Sequence, residues 1–451
     1  MLRHFKLHTA IALSAAFSCA VNAEVDPMGA LTSVAQSISQ SSDGRINISG
    51  YVNGHMMTHY GTPQLVGKNI DETLYQLREA SLFIDAVIND SLLFSTELEM
   101  SYDFSDKEDS GREDSFEALL NYYYFDLDVS NAMDWDSDET GSFKVRAGRM
   151  LVPFLQYNEN KPSFKQSLMS QPFTAWQMAP VNNVGGSFKQ FGWTDLGVSF
   201  NYSKILGDSG LIDLKLSVIN GLGTESQVLD SNTVQLDPGG ALKPTVRPRD
   251  GLANAKSEWD EFGDVNSDKA IVVKLSYVPF SMPLNVGLSY YSGAWDKDAN
   301  NDLSMTGVHA SYATKDWSLK GEYLVADVEQ TAGINVVTAP GPGLNVSTGD
   351  YEMSAWYVEG AYTALRYGTN NFLKAIVRFD AVDTNDQAMF TPFDRSRVTA
   401  GLEWQFINNV RLRLEHQENE INDFQNAPAP FIAAGGEKDI SMTMMSLIAY
   451  F

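Results

Sequence analysis

Apolar and polar residues alternate with a period of two along most of this chain. Ile271, Val273, Leu275 and Tyr277 share one face of an extended segment, and Lys274 and Ser276 share the other. Leu373, Ala375, Val377 and Phe379 oppose Lys374, Arg378 and Asp380, and Val398, Ala400, Leu402, Trp404 and Phe406 oppose Arg395, Arg397, Thr399, Glu403 and Gln405. A two-residue period means strands with one apolar face. The segments run about 10–14 residues, nearer the 9–11 of a tilted membrane strand than the 5–6 of soluble sheets.

The pattern predicts sixteen strands, near 45–60, 72–88, 91–102, 116–128, 142–152, 195–204, 211–220, 269–278, 284–295, 303–313, 317–329, 351–365, 371–383, 394–407, 410–423 and 438–451. Asn89-Asp90, Lys315-Asp316, Asn408-Asn409 and the Pro279–Pro283 segment suit tight turns. Long polar connections, 103–115, 153–194, 221–268, 330–350 and 424–437, alternate with them. Short turns at one end and long loops at the other are the layout of an antiparallel transmembrane β-barrel, with short periplasmic turns and long extracellular loops. The connection at 129–141 is long for a periplasmic turn. An even strand count puts both termini on the periplasmic side.

Composition narrows the class. The chain has 451 residues, 24 Phe, 19 Tyr and 8 Trp, yet no stretch near the roughly 20 apolar residues of a membrane helix. Arg3 and Lys6 precede an apolar run from about Ala10 to Ala20 and the small-residue segment Val21-Asn22-Ala23, which predicts a secretory leader at 1–23. Residues 24–44 read as a periplasmic segment and 45–451 as the barrel. Cleavage before Glu24 would remove Cys19, the one cysteine, so disulfides contribute nothing to the mature chain. The formal net charge of −25 becomes more negative when Arg3 and Lys6 leave. That excludes nucleic acid as a partner.

Charged groups avoid lipid, so alternation places Lys144, Arg146, Lys215, Lys274, Lys320, Lys374, Arg378, Arg395, Arg397, Arg411 and Arg413 on the inner wall. The acids Glu97, Glu99, Asp213, Glu322, Glu359, Asp380, Glu403 and Glu415 face the same way. Arg378, Arg395, Arg397, Arg411 and Arg413 come from adjacent strands and are expected to form a basic patch in a pore wall. Aromatics such as Tyr290, Trp295, Trp317, Tyr323, Trp356, Tyr362, Trp404 and Phe451 are expected to face the membrane interfaces. The connection from Pro153 to Thr194 carries Tyr157, Lys161, Lys165, Phe173 and Trp176 and is the leading functional loop.

Enzyme and metal chemistry find little support. The mature histidines are His55, His59, His309 and His416, with no nucleophile-base arrangement around them. His416 falls on the outward parity of its strand. Asp134, Asp136 and Asp138 lack the glycine and terminal glutamate of a calcium loop, Asp296, Asp298 and Asp302 are no better, and no cofactor is implied.

The final strand ends on Phe451, with Ala449, Leu447 and Met445 on its apolar face. This resembles Gram-negative outer-membrane barrel proteins. Val145-Arg-Ala-Gly-Arg-Met-Leu-Val-Pro-Phe154 and Phe191-Gly-Trp-Thr-Asp-Leu-Gly-Val198 resemble segments of the phosphate-selective porin O/P family. That resemblance implies an outer-membrane, trimeric, sixteen-stranded diffusion channel whose third outer loop folds inward to form the constriction. Its partners would be small hydrophilic solutes or ions, with anions such as phosphate as candidates, and membrane lipid. Two other readings stay open. One is a barrel-anchored adhesion protein using its acidic outer loops, and the other is a more specific channel for a sugar or carboxylate.

Overall fold

The computed structural model describes residues 44–60, 73–103, 115–160, 162–175, 193–223, 256–257, 266–296, 298–329, 350–368, 370–383, 386, 394–421 and 439–451. Its strands are β1 (Ile46–Tyr60), β2 (Thr73–Asn89), β3 (Leu92–Asp103), β4 (Ser115–Asp128), β5 (Ser142–Leu151), β6 (Thr194–Ile205), β7 (Gly210–Ile219), β8 (Leu222–Gly223), β9 (Lys256–Ser257), β10 (Ala270–Pro279), β11 (Leu284–Ala294), β12 (Asp302–Ala313), β13 (Trp317–Val328), β14 (Tyr351–Tyr367), β15 (Asn371–Asp383), β16 (Arg395–Ile407), β17 (Val410–Ile421) and β18 (Asp439–Tyr450). β8 and β9 form a two-stranded ladder of their own, and the other sixteen close one antiparallel barrel. Each barrel strand pairs with its neighbour in sequence, β7 pairs with β10, and β1 pairs with β18 to complete the ring. The sixteen expected segments are these sixteen strands, with ends agreeing within two residues.

Turn chemistry at the short-turn end follows the sequence. The Asn409 backbone adopts the left-handed conformation (φ 64°) in the two-residue link between β16 and β17. The longer connection at 129–141 is used to make two single-turn helices, α1 (Val129–Ala132) and α2 (Ser137–Thr140). Asp128 caps the first by accepting from Asn131 N at 3.0 Å.

The two barrel faces are chemically opposite. Outward positions include Leu275, Leu288, Val308, Val377, Phe379, Leu402, Leu414 and Leu447, all about half exposed. A belt of this extent would be insoluble on a water-facing sheet; it matches the lipid-facing band of an outer-membrane barrel. Tyr290, Trp317, Tyr323, Trp356, Tyr362 and Trp404 also face out. Trp295 does not. It lies just beyond the end of β11 on the inward parity of Ser289 and Tyr291, and it is buried with Leu303 and Tyr291. Its ring N–H donates to the Glu329 carbonyl at 2.9 Å.

Candidate functional site in the barrel lumen

The connection between β5 and β6 begins as a clip. Val152 N donates to Trp193 O at 2.9 Å. The Asn158 amide then ties both feet together, donating to Val152 O at 2.7 Å and Trp193 O at 3.0 Å while accepting from Trp193 N at 2.7 Å. From this clip the described part of the loop, 152–160 and 162–175, runs along the inside of the barrel.

It is held by carboxylates reaching in from the wall. Glu322 on β13 accepts from Gln156 N at 2.8 Å, Tyr157 N at 2.7 Å and the Thr174 hydroxyl at 2.8 Å. Glu415 on β17 accepts from Met169 N at 2.5 Å and Ser170 N at 3.2 Å, and also from the Ser170 hydroxyl. Glu79 on β2 accepts from the Ser163 hydroxyl, and Asp380 on β15 from Phe173 N at 3.1 Å. Loop amides that no strand could satisfy thus find charged acceptors, the stronger kind of hydrogen bond.

Wall cations hold the loop carbonyls in the same way. Arg378 donates to Ser170 O at 2.9 Å, Arg397 to Gln171 O at 2.5 Å, Arg411 to Phe164 O at 2.7 Å, and Arg413 to Gln166 O. Lys274 donates to Leu155 O at 2.6 Å. Arg397 and Arg395 also lie over the Phe173 ring, 4.3 and 5.0 Å from its centroid. Phe164 is packed among Tyr51, Phe83 and Tyr450, with centroids 5.5–6.3 Å away. Two inward glycines make room. A Cβ at Gly307 would stand 2.7 Å from Leu155 Cδ2, and one at Gly401 would stand 2.4 Å from Leu168 Cδ2.

The described part of the loop carries one carboxylate. Glu159 bridges Lys215 on β7 and Lys274 on β10. Burial alone would push its carboxyl up, but the two ammonium groups outweigh that and hold its pKa at about 2.

The five expected arginines are brought together on β15–β17, with different surroundings. Arg378, Arg397 and Arg413 are buried beneath the loop. Arg378 and Arg397 share Asp380, at 2.9 and 3.1 Å, and Arg413 pairs with Glu403 at 3.1 Å. Arg395 is buried against Phe173, and Arg411 keeps partial exposure beside Glu403. Lys215 and Lys274 are taken up by Glu159 of the loop, whereas Lys144, Arg146, Lys320 and Lys374 face the lumen nearer the short-turn end. Arg146 pairs in bidentate fashion with Asp126 (2.8 and 2.6 Å), and Lys144 sits 3.3 Å from Asp128. Lys320 pairs with Glu359 at 3.0 Å, and Lys374 with Glu403 at 3.1 Å. In both pairs the cation meets water: Lys320 is 27% exposed over Glu359 at 3%, and Lys374 is 26% exposed over Glu403 at 1%.

Of the expected loop residues, Tyr157 is buried edge-on against Tyr357, 6.4 Å between centroids, and Lys165 is exposed. Lys161 and Trp176 lie outside the described residues. Sequence reading missed the amide-binding role of Glu79, Glu322 and Glu415, and missed Gly307 and Gly401. Inward glycines opposite a long loop were the available signal. Among the described residues no group of three His, Cys, Asp or Glu side chains could hold a metal ion.

Residues 285–445, which span β11 to most of β18, match the family model for phosphate-selective porin O and P. The barrel is similar to the anion-selective porin from Comamonas acidovorans, with 12% identity, a TM-score of 0.50, and 90% of this chain and 99% of that chain covered. It is also similar to Salmonella typhi OmpF in complex with daunomycin, with 11% identity, a TM-score of 0.51, and 90% and 97% covered. The fold is that of an outer-membrane porin. The Acinetobacter baumannii outer-membrane channel DcaP aligns over 90% of this chain and 97% of its own, at 11% identity and a TM-score of 0.49. No curated protein sequence matches the chain. The matched stretch covers the last eight barrel strands and does not include the two segments at 145–154 and 191–198, which the match leaves untested.

Proposed function

We infer that this chain is an outer-membrane porin for passive diffusion of small hydrophilic solutes, with a preference for anions. A sixteen-stranded barrel encloses more space than its side chains can fill, and the β5–β6 loop is the element that narrows it. Tyr157 and Lys165 belong to that constriction.

One observation carries the sign of the preference. In two ion pairs that reach lumen water, Lys320 with Glu359 and Lys374 with Glu403, the carboxylate lies against the wall and the cation lies over it, whereas around Lys215 and Lys274 the acids Glu159 and Asp213 are at least as exposed as the cations. Lys144, Arg146 and Arg411 extend the same surface. A permeating ion within a Debye length of about 8–10 Å responds to the nearer charge, so this surface favours anions although the whole chain is strongly acidic. Phosphate and small organic acids fit such a lining.

The test is bilayer recording under a salt gradient. Wild type is expected to give a reversal potential of anion-selective sign, and Lys320→Glu with Lys374→Glu is expected to move it toward cation selectivity while conductance persists. A reversal potential that ignores the double substitution would overturn the anion preference. An absence of any conductance would overturn the channel.

A further inference from the structure

Where the loop reaches toward the short-turn end, the inner wall carries an unbroken row of aromatic rings. Tyr124 and Tyr122 stack on β4, 5.5 Å between centroids. Tyr122 packs on the buried pair Tyr51 and Phe83, which also takes Phe164 from the loop. Phe164 stacks in turn on Tyr450, 5.8 Å away. Arg411 joins that ring to Phe372, its guanidinium 5.2 Å from the Tyr450 centroid and 5.7 Å from that of Phe372. Tyr450 and Phe372 lie at the short-turn ends of β18 and β15. Tyr122, Tyr124, Phe164, Tyr450 and Phe372 are all half-buried, so each keeps some surface toward the lumen.

A porin lumen holds water, and its wall is polar. Rings left against that water are unfavourable unless a ligand with an apolar face covers them. Phe372 has no polar side-chain atom to offset the exposure. Charge along the row is uneven. At the β4 end Arg146 lies 3.9 Å from the Tyr124 centroid but is matched by Asp126, and Asp85, which accepts from the Ser95 hydroxyl at 2.6 Å, adds a second acid. At the β15–β17 end Lys374, Arg411 and Arg413 all pair with one carboxylate, Glu403, which is 1% exposed. The Lys374 ammonium has three donors, of which Glu403 takes one, and it stands 5.0 Å from the Phe372 centroid. Lys165, beside Phe164 in the loop, is exposed.

We propose that Phe372, Tyr450 and Phe164, together with Lys374 and Arg411, form a binding site for planar aromatic carboxylates on the periplasmic side of the constriction. This rests on the anion-channel reading and names the class of anion. The ring of the solute lies offset or edge-on against Phe372 and Tyr450. Its carboxylate accepts from the Lys374 ammonium, and Asp85 repels it from the β4 end. A compact oxyanion such as phosphate would use the cations and leave the rings bare. A saturated acid of the same charge and size would cover them without the ring-to-ring geometry.

Block of chloride current through planar bilayers tests the site. Benzoate is expected to half-block at a concentration roughly tenfold below that of cyclohexanecarboxylate, the margin that ring geometry adds to simple burial, and acetate is expected to block least. Phe372→Leu should remove the margin, and Tyr323→Leu, outward on β13, should keep it. Phe164→Leu takes the place of Phe372→Leu if that variant does not fold, as judged by heat-modifiable migration on gels. Equal block by benzoate and cyclohexanecarboxylate in wild type, or a margin that survives both ring substitutions, overturns the site. The reversal potential in chloride alone reports separately on the anion reading. An anion-selective sign without the margin ends the site and leaves that reading standing, whereas a cation-selective sign overturns both.

Discussion

The wall under the loop and the wall below it use the same residue types for different ends. On β15–β17, Arg378, Arg397 and Arg413 are buried, share Asp380 and Glu403, and spend their remaining donors on loop carbonyls. Nearer the short-turn end, Lys144, Arg146, Lys320 and Lys374 sit over carboxylates and face water. The first set fixes a loop and the second presents charge to a solute. A cation's place on the inner face therefore says little about its role until the position of the loop is known.

The sharpest way to break this contrast is to remove a buried acceptor. Asp380→Ala leaves Arg378 and Arg397 facing each other without their shared carboxylate and strips Phe173 N of its acceptor. A loss of roughly 3–5 kcal/mol is expected, read as a lowered urea midpoint for the folded barrel on semi-native gels. An unchanged midpoint would mean that the loop and its arginines are not coupled to the wall.

Acid probes the loop from its own side. The folded-state pKa of Glu159, about 2, lies below the ordinary value of 4.5. Its contribution is therefore complete above about pH 4.5 and disappears as pH falls toward 2. The full effect is on the order of 3 kcal/mol. Wild type should lose stability over that window, and Glu159→Gln should lack this part of the slope in acid-unfolding curves.

The smallest expected effect lies in the water-facing set. Lys320→Ala should change stability by no more than about 1 kcal/mol, because the ammonium is partly hydrated. It should still shift the salt-gradient reversal potential, whereas a conservative Arg413→Lys beneath the loop should shift it less than it shifts stability. Equal effects from both sites would erase the distinction.

The barrel was legible because alternation and turn residues are local signals, and sixteen strands follow from them. The side of the wall was legible too, since parity placed Arg378, Asp380 and Glu403 inside and His416 outside. Depth of burial was not. Phe173 meets Asp380 across 207 residues of sequence, and Ser170 meets Glu415 across 245. No periodicity carries such a contact. Trp295 shows the other limit: it has the inward parity of Ser289 and Tyr291, and the expectation of an interfacial place rested on its aromatic ring rather than on the alternation.

The pairing of β1 with β18 has a consequence for how the molecule is made. Phe451 N donates to Gly50 O at 3.0 Å, and Gly50 N donates to Phe451 O at 3.1 Å, so the ring is sealed by residues about four hundred positions apart. Until that seam zips, two strand edges stand open, each a template for stray pairing. Biogenesis cannot proceed in instalments from the ribosome, and the polypeptide needs an escort that shields both margins until the circle is complete.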